Sequence, residues 1–472
     1  MENVYAHLKE SQTLELKTAE KGIPSSVYET YSSFANTKGG TIILGVKEGT
    51  EENTIVGVQK PDVRKKDFFN TISNKSKVSL SLFGDENWHE KEIDGKTVVE
   101  IVIPEAPATS KPVYLDGNPS RCYVRRNDGD YQATEQERLG MELDSSNIKF
   151  DMQPNKIGLE FGDLNGSTLK KYRDAFNQVN EGNIFQSLDD EAFFKAIGAL
   201  TKKDSKFIPT NAAVLLFGNY VQIKQIFPEF NLDYQEKSAN ADRWDYRLDA
   251  SSLAWSGNAY DFITMALAHV KPLLPNPFHL AEDGIHENGG ALIYECVREG
   301  FANAISNCDF YLSWGVTVLF EGTRITFRNG GRMAVPLEKA LRGGYSHPRN
   351  ESVMNLLHLV KLGERAGTGI PNIVLKIKAL NYPEPTWTEE TFPNSTTLTM
   401  LLPPVALKAS KFSIEGKIMN QLLKDGPSNS TQIAKALRVS QSAVSLALKS
   451  LEEKGNVKDN GKTTKGKLFF LA

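Results

Sequence analysis

Hydrophobic residues in the N-terminal third of the chain follow first a helical and then a strand-like spacing. The segment "SSVYETYSSFANTKGGTIILGVKEG" (25–49) predicts an amphipathic helix, a break at Gly39–Gly40 and a short apolar strand of the kind buried on both faces. "KTVVEIVIPEA" (96–106) and "SRCYVRRNDGD" (120–130) have the composition of two further strands. This end of the chain is therefore predicted to mix helix and strand.

The middle of the chain has a different order of predicted elements. "PTNAAVLLFGN" (209–219) predicts an apolar strand closed by Gly218. "WGVTVLFEGTRITFRNGG" (314–331) predicts a β-hairpin that turns at Glu321–Gly322. "LGERAGTGIPNIVLKIKAL" (362–380) predicts a glycine-rich turn that runs into a helix.

Polar residues interrupt the apolar helical segment "REGFANAISNCDF" (298–310) at a regular interval. Glu299, Asn303 and Asn307 recur every four residues, so on a helix they share one face. Two interpretations follow. The face is either solvated or packed against another helix, or it forms the wall of a site that holds a metal ion and phosphates.

The C-terminal segment predicts three helices and a hairpin. "FSIEGKIMNQLLKDG", "STQIAKAL" and "SQSAVSLALKSLEEKG" have helical spacing, with the second opening on Ser430 or Thr431 and the third capped by Ser440 and closed by Gly455. "NVKDNGKTTKGKLFFLA" then predicts a two-stranded hairpin.

Length and composition bound the class of protein. With 472 residues, 40% hydrophobic and 24% charged, the chain is long enough for about three globular domains. No segment has the length and apolarity of a membrane span or the pattern of a signal peptide, so a cytoplasmic protein with no membrane partner is expected. The three cysteines are widely spaced and support neither a disulfide framework nor a structural zinc site.

Charged residues are unevenly distributed along the chain. From residue 405 onward there are twelve Lys or Arg against five Asp or Glu, whereas the remainder carries an acidic excess. A basic C-terminal domain on an acidic body indicates that this domain meets a polyanion.

Three helices followed by a hairpin resemble the winged helix-turn-helix of bacterial transcription regulators. The resemblance implies that the third helix enters the major groove of DNA and that lysines of the hairpin contact the backbone. A protein-docking or dimerisation module is the alternative. The candidate DNA-binding residues are Gln441, Ser442, Ser445, Lys449, Lys458, Lys462, Lys465 and Lys467.

The N-terminal pattern E-S-x-x-x-E-x-K at 10–17, with F-A-N-T-x-G-G and G-V, resembles the Schlafen AlbA-type domain, an α+β fold associated with nucleic acids. In Schlafen nucleases an acidic triad cuts RNA, and it matches Glu10, Glu15 and Glu48, where Glu48 replaces the usual Asp. Three carboxylates suit a hard divalent ion that activates water. Ion pairing of Glu15 with Lys17 on a solvated strand is the alternative. Candidate phosphate contacts are Lys111, Arg121, Arg125 and Arg126.

The order helix, hairpin, glycine-rich turn and helix resembles the divergent GHKL-type ATP-binding domain of RecG-like, Schlafen-fused bacterial regulators. The resemblance implies ATP and Mg²⁺ as cofactors, with Glu299 orienting water in a weak ATPase and Asn303 holding the magnesium ion. An Asp is usual at the base-binding turn, where Asn329 stands. The candidate nucleotide-binding residues are Asn303, Asn307, Asn329, Gly331, Gly363, Gly367, Thr368 and Gly369.

These resemblances imply a multidomain α+β protein with an AlbA-like head, a GHKL-like α/β sandwich and a winged-helix tail. The expected boundaries are 1–140, a helical connector at 141–205, 206–405 and 406–472. Two functions are compatible with the sequence. One is a nucleotide-responsive DNA-binding transcriptional regulator, expected to form a homo-oligomer. The other is a metal-dependent endonuclease for RNA of the tRNA type, acting in phage defence.

Overall fold

A computed structural model of the chain divides into two compact units, Met1–Phe150 with Glu390–Asn394 and Asp151–Glu389 with Ser395–Ala472. The structure describes residues 4–146, 149–237, 244–275, 278–280, 286–310, 315–365, 367–391, 394–402, 414–453, 457–462 and 466–471.

The first unit is built on a four-stranded sheet in the order β1-β2-β6-β5. Strand β2 pairs parallel with β1 and antiparallel with β6, which buries its apolar residues. The segment 25–49 forms the predicted helix and strand, and a separate three-stranded sheet has the order β7-β8-β9. The elements are α1 Ser26–Asn36, α2 Pro61–Ser73, α3 Glu135–Ser145, β1 Leu14–Lys17, β2 Gly40–Leu44, β3 Val46–Lys47, β4 Thr54–Ile55, β5 Trp88–Ile93, β6 Lys96–Ile103, β7 Tyr114–Leu115, β8 Asn118–Arg126 and β9 Gly129–Gln132.

The larger unit contains a six-stranded sheet in the order β13-β12-β16-β17-β19-β18. Strands β16 and β17 form the predicted hairpin, with Glu321 opposite Arg324 across the turn. The helices are α4 Gly166–Val179, α5 Asp190–Ala196, α6 Asn211–Phe217, α7 Tyr220–Ile226, α8 Ala259–Val270, α9 Gly289–Asn307, α10 Leu337–Arg342, α11 Glu351–Leu359 and α12 Gly369–Ala379. The strands are β10 Leu200–Lys203, β11 Lys206–Pro209, β12 Leu232–Glu236, β13 Tyr246–Asp249, β14 Phe278–Leu280, β15 His286–Asn288, β16 Val316–Glu321, β17 Arg324–Gly330, β18 Thr386–Thr391 and β19 Asn394–Leu401.

Helix α9 packs closely on this sheet. A Cβ at Gly300 would lie 2.7 Å from the Phe327 ring of β17, so glycine allows the approach. Phe301 meets Phe327 edge-on with ring centroids 5.2 Å apart. The apolar residues of α9 therefore face the core, and its polar residues are left for another surface.

The strand predicted over 209–219 is wrong. Residues 211 to 217 form the buried helix α6 instead, and the Thr210 side chain caps it by accepting a hydrogen bond from the Ala213 N–H over 3.1 Å. A short, continuous apolar run is compatible with either a buried strand or a buried helix. The cap stabilises the first turn and favours the helix.

The C-terminal residues form the predicted three helices and hairpin. These elements are α13 Ile414–Asp425, α14 Ser430–Leu437, α15 Gln441–Glu453, β20 Val457–Asp459 and β21 Phe469–Leu471. Helix α14 begins at Ser430, as predicted, and Asn429 caps it, with its side chain accepting from the Gln432 N–H over 2.8 Å. A small core joins the three helices and the hairpin.

The observed mixture of helices and several sheets confirms the multidomain α+β class. Within the described residues, no helix is both long and apolar enough to cross a membrane.

Candidate nucleotide and nucleic-acid sites

The polar face of α9 lines a cavity in the larger unit. The cavity holds about 940 Å³ of empty space, part of it open to solvent. Glu299, Asn303 and Asn307 line one side, and Gly367 and Gly369 of the glycine-rich turn line it as well. Helix α9 thus places the polar face predicted from the sequence at a concave surface.

Three asparagines line this cavity, and the amide nitrogen of each donates to an acceptor of the protein. Asn303 Nδ2 donates to Glu299 Oε1 over 2.8 Å, Asn307 Nδ2 to the Asn303 carbonyl over 3.0 Å, and Asn329 Nδ2 to the Gly330 carbonyl over 3.1 Å. Because each partner is an acceptor, the nitrogen must face it and the oxygen is turned away. Within the described part of the chain, no group donates to these three oxygens, so they are available to a cation or to a ligand donor.

Glu299 is a buried carboxylate of the cavity whose two oxygens both accept hydrogen bonds. It is 3% exposed, and its Oε2 accepts the Glu364 N–H over 2.9 Å while Oε1 accepts from Asn303. Burial raises the pKa of Glu299 to about 7, although the Glu364 N–H opposes the shift. The side chain therefore ties α9 to the glycine-rich turn.

Glycine is required at two positions of that turn. A Cβ at Gly369 would overlap Glu299 Oε1. Gly367 has φ +71°, and a Cβ there would lie 2.6 Å from the Tyr345 carbonyl oxygen. Helix α12 begins at Gly369 with no side-chain cap from Thr368. The N–H groups of its first turn suit an anion at the cavity.

Three predicted nucleotide-binding residues are not among those that line the cavity. The Thr368 hydroxyl donates to Glu364 Oε2 over 3.0 Å. A Cβ at Gly363 would meet Ala302 and Met354, and one at Gly331 would overlap Arg349. These residues shape the surrounding loops, and their part in binding stays a prediction.

The apolar part of the cavity was not predicted from the sequence. Phe327, Leu398 and Trp387 line it from the sheet, and Ile370 and Ile373 line it from α12. Alternate residues of β17, at Phe327 and Asn329, point to the same side, which strand periodicity predicts once the sheet is known. The cavity thus combines a polar and an apolar lining, as small-molecule sites do.

Glu10, Glu15 and Glu48 do not form the expected metal site. Among the described residues, no group of three or more His, Cys, Asp or Glu side chains is arranged to hold a metal ion. Burial raises the pKa of Glu10, and the charges of Glu15 and Glu48 contribute to the shift. Glu10 Oε1 accepts the Leu16 N–H over 3.1 Å. Glu15 is paired with Arg125 and Lys17, which compensate its charge.

Arg125 is a structural residue and not the exposed phosphate contact that the sequence suggested. Its side chain is fully buried, and NH2 lies 2.7 Å from Glu15 Oε2 while NH1 lies 3.0 Å from Asp130 Oδ1. It also donates to the Ser11 and Leu14 carbonyls. Asp130, which the sequence analysis did not single out, is therefore part of this buried network.

The other candidate phosphate contacts of the first unit are also paired with carboxylates. Lys111 Nζ lies 2.7 Å from Glu105, and Arg126 NH2 lies 2.8 Å from Glu137. Arg121 pairs with Asp116. Binding of a phosphate here would compete with these pairs.

The third helix of the tail exposes the predicted face. Ser442, Ser445 and Lys449 are exposed, whereas Gln441 Nε2 also donates to Thr431 Oγ1 over 2.9 Å and so links α15 to α14. On the hairpin, Lys458 and Lys462 are exposed. Lys467 is held 2.5 Å from Asp459 Oδ2, and Lys465 lies outside the described residues.

Comparison with protein families assigns four segments. Residues 10–134 match "Schlafen, AlbA_2", and residues 140–233 match a domain of unknown function, DUF8451. Residues 315–400 match "Putative ATP-dependent DNA helicase recG C-terminal", and residues 417–459 match "Bacterial regulatory protein, arsR family". The DUF8451 match spans the helical connector predicted at 141–205.

Several solved structures match the chain, and two of them illustrate the degree of similarity. The DIP2311 protein of Corynebacterium diphtheriae is 17% identical, over 98% of this chain and 92% of that one, with a TM-score of 0.43. The N-terminal domain of a RecG-related protein from Nitrosomonas europaea is 27% identical, over 27% of this chain and 86% of that one, with a TM-score of 0.21. No curated protein matches the chain.

The family matches agree with the modules expected from the sequence, in the same order. The helix-turn-helix match supports DNA binding, and with the AlbA_2 match it supports a DNA-binding regulator. The chain thus carries, in this order, segments that match Schlafen AlbA_2, the RecG C-terminal domain and an ArsR-family regulatory protein.

Proposed function

We propose that this protein is a transcriptional regulator whose DNA affinity responds to a magnesium-bound nucleotide held in the cavity beside α9. The observation that carries the proposal is the convergence of Asn303, Asn307 and Asn329 with the Gly367–Gly369 turn in one cavity. In this proposal the helix-turn-helix supplies the DNA contact, and the protein acts on DNA in the cytoplasm.

The donor set of the cavity fits a metal-bound phosphate ligand. Amide oxygens are hard ligands that suit Mg²⁺, and Asn303 is the residue that would hold the ion. The magnesium ion would compensate phosphate charge next to Glu299 and Glu364. Backbone N–H groups at the start of α12 would meet phosphate oxygens.

The remaining lining fits a planar, partly apolar group such as a nucleobase. Asn329 Oδ1 accepts a hydrogen bond from a ligand amino group, the role that a carboxylate fills in the resembling enzymes. Trp387 and Phe327 supply apolar surface. A neutral amide oxygen is a weaker acceptor than a carboxylate, so binding is expected to be modest in affinity.

Binding, and not rapid hydrolysis, is the proposed role of the cavity. A general base needs an oxygen within hydrogen-bond reach of the attacking water. Each oxygen of Glu299 already accepts one hydrogen bond, from Asn303 or from the Glu364 N–H, and we assign this side chain to holding the glycine-rich turn and not to activating water. Nuclease activity is not part of the proposed function, because the Glu15 carboxylate already forms ion pairs with Arg125 and Lys17.

Calorimetry of the full chain with ATP and magnesium tests the proposal. Wild-type protein is expected to bind only when magnesium is present, and Asn303→Ala is expected to abolish this binding. Asn70→Ala, on the exposed side of α2, is the matched control and should bind as wild type. Absence of heat with wild-type protein, confirmed by equilibrium dialysis of labelled ATP, would contradict nucleotide binding.

A further inference from the structure

Helix α15 carries a hydrophobic side chain on the surface that the proposed function assigns to DNA. Leu446 is 76% exposed, although the neighbouring Val444, Ala447 and Leu448 are buried in the tail's core. Among the side chains described between residues 414 and 471, Leu446 is the single large hydrophobic one that is exposed. Burial in the folded domain therefore does not explain this residue.

Leu446 shares its face of α15 with two polar residues. Ser442 lies four residues before it and Lys449 three residues after it, so the three share one face, opposite the core. Both neighbours are exposed. The face therefore presents a hydroxyl, an isobutyl group and an ammonium group in succession.

The chemistry of the major groove restricts what an apolar side chain meets there. Base edges present hydrogen-bond donors and acceptors, and the 5-methyl group of thymine is the apolar feature among them. An isolated leucine with polar neighbours is also too small a patch for a protein-docking surface. Lys435 and Arg438, exposed on and just after α14, add positive charge to the same domain.

We propose that Leu446 contacts a thymine methyl group in the major groove, so that the preferred operator carries thymine at one defined position. The inference rests on the proposed DNA binding and deepens it by naming a residue that determines specificity. Ser445 and Ser442 contact neighbouring polar base edges, while Lys449 contacts phosphate.

Substitution of thymine by deoxyuridine isolates the methyl group, because the two bases differ by that group alone. The preferred duplex is first selected from random DNA with the full chain. Each thymine is then replaced singly, and dissociation constants are measured by gel shift. Wild-type protein should bind one substituted duplex about fourfold more weakly, as expected for one lost buried methyl group.

Leu446→Ala should bind thymine and uracil duplexes equally well at that position and should keep its salt-dependent binding. Leu446→Met should retain part of the discrimination, since it keeps an apolar side chain. Val221→Ala, exposed on α7, is the control and should discriminate as wild type.

The outcomes separate this inference from the function on which it rests. If the protein binds no duplex, the DNA-binding function itself fails and the inference fails with it. If it binds DNA but ignores every thymine-to-uracil change, or if Leu446→Ala still discriminates, only the inference is overturned. A change of oligomeric state in Leu446→Ala without loss of discrimination would also overturn it and assign Leu446 to a protein interface.

Discussion

The protonation state of Glu299 should be visible in the stability of the larger unit. Its folded-state pKa of about 7 lies above the ordinary value of 4.5. The folded protein then holds a proton that the unfolded chain releases, so the stabilisation is fully present below pH 4.5 and is lost as the pH rises through 7. We expect a loss on the order of 3 kcal/mol between pH 4.5 and 8.

Glu299→Gln should remove this pH dependence, because an amide does not titrate in this range. Urea unfolding of wild type and variant at several pH values measures the difference in the free energy of unfolding. Glu338→Gln, at an exposed position of α10, should leave the wild-type dependence unchanged. Equal pH profiles for wild type and Glu299→Gln would show that Glu299 is ionised throughout.

Arg125 should be indispensable for the first unit. Arg125→Met leaves Glu15 and Asp130 buried or nearly buried without the partner they share. Removing one member of a buried ion pair typically costs about 3–5 kcal/mol. Arg121→Met, on the same strand but with a partly exposed side chain, should cost less than about 1 kcal/mol. Thermal unfolding compares the two, and equal small losses would contradict the structural role of Arg125.

The buried ion pair of Arg125 and Glu15 could not be predicted from the sequence, for a physical reason. "YVRR" on a strand predicts alternating faces but does not say which face is covered. The carbonyls of Ser11 and Leu14 that accept from Arg125 lie more than a hundred residues earlier in the chain. Local spacing carries no information on such contacts.

Elements were predicted well where their ends carry a specific signal. The β16–β17 hairpin and the three tail helices are marked by turn and capping residues, and the structure contains them. Helix α6 was predicted as a strand, because the six consecutive apolar residues at 212–217 have no period and Thr210 was not recognised as a cap. The polar face of α9 was predicted. The positions of Trp387 and Phe327 beside the cavity were not, because they depend on the order of the strands in the sheet.

The glycine-rich turn should tolerate no side chain where it meets α9. Gly369→Ala forces a methyl group against the Glu299 carboxylate, so either that carboxylate or the turn must shift. Overpacking of this kind costs about 1–3 kcal/mol. We expect Gly369→Ala to weaken nucleotide binding tenfold or more. Gly166→Ala has open space around it and should bind as wild type, and unchanged affinity in Gly369→Ala would contradict the proposed site.

Binding of the full chain to duplex DNA should depend steeply on salt. Each lysine that contacts a phosphate releases about one counterion, so the logarithm of affinity falls linearly with the logarithm of salt concentration. Lys462→Glu should weaken binding to all sequences and reduce the slope by about 1, and Lys458→Glu should do the same. Ser445→Ala should instead reduce discrimination between sequences. Gel shifts at several salt concentrations measure both, and a slope near zero would contradict the predicted interface.

Coupling between nucleotide and DNA is the property that would make the whole chain a regulator. If nucleotide with magnesium changes the affinity for DNA by some factor, DNA must change the affinity for the nucleotide by the same factor. Coupling energies of about 1–3 kcal/mol correspond to factors of about 5–150. We therefore expect gel shifts with and without ATP and magnesium to differ by a factor in this range, and calorimetry with and without duplex to give the same factor.

Asn303→Ala should bind DNA with the affinity of the nucleotide-free wild type and should not respond to ATP, because its tail is unaltered and its cavity lacks the magnesium ligand. Lys462→Glu should show the opposite combination, with nucleotide binding retained and DNA binding weakened. Identical DNA affinity of the wild type with and without nucleotide, under conditions where calorimetry shows the cavity to be filled, would mean that the two sites act independently. The cavity would then serve a function other than the control of DNA binding.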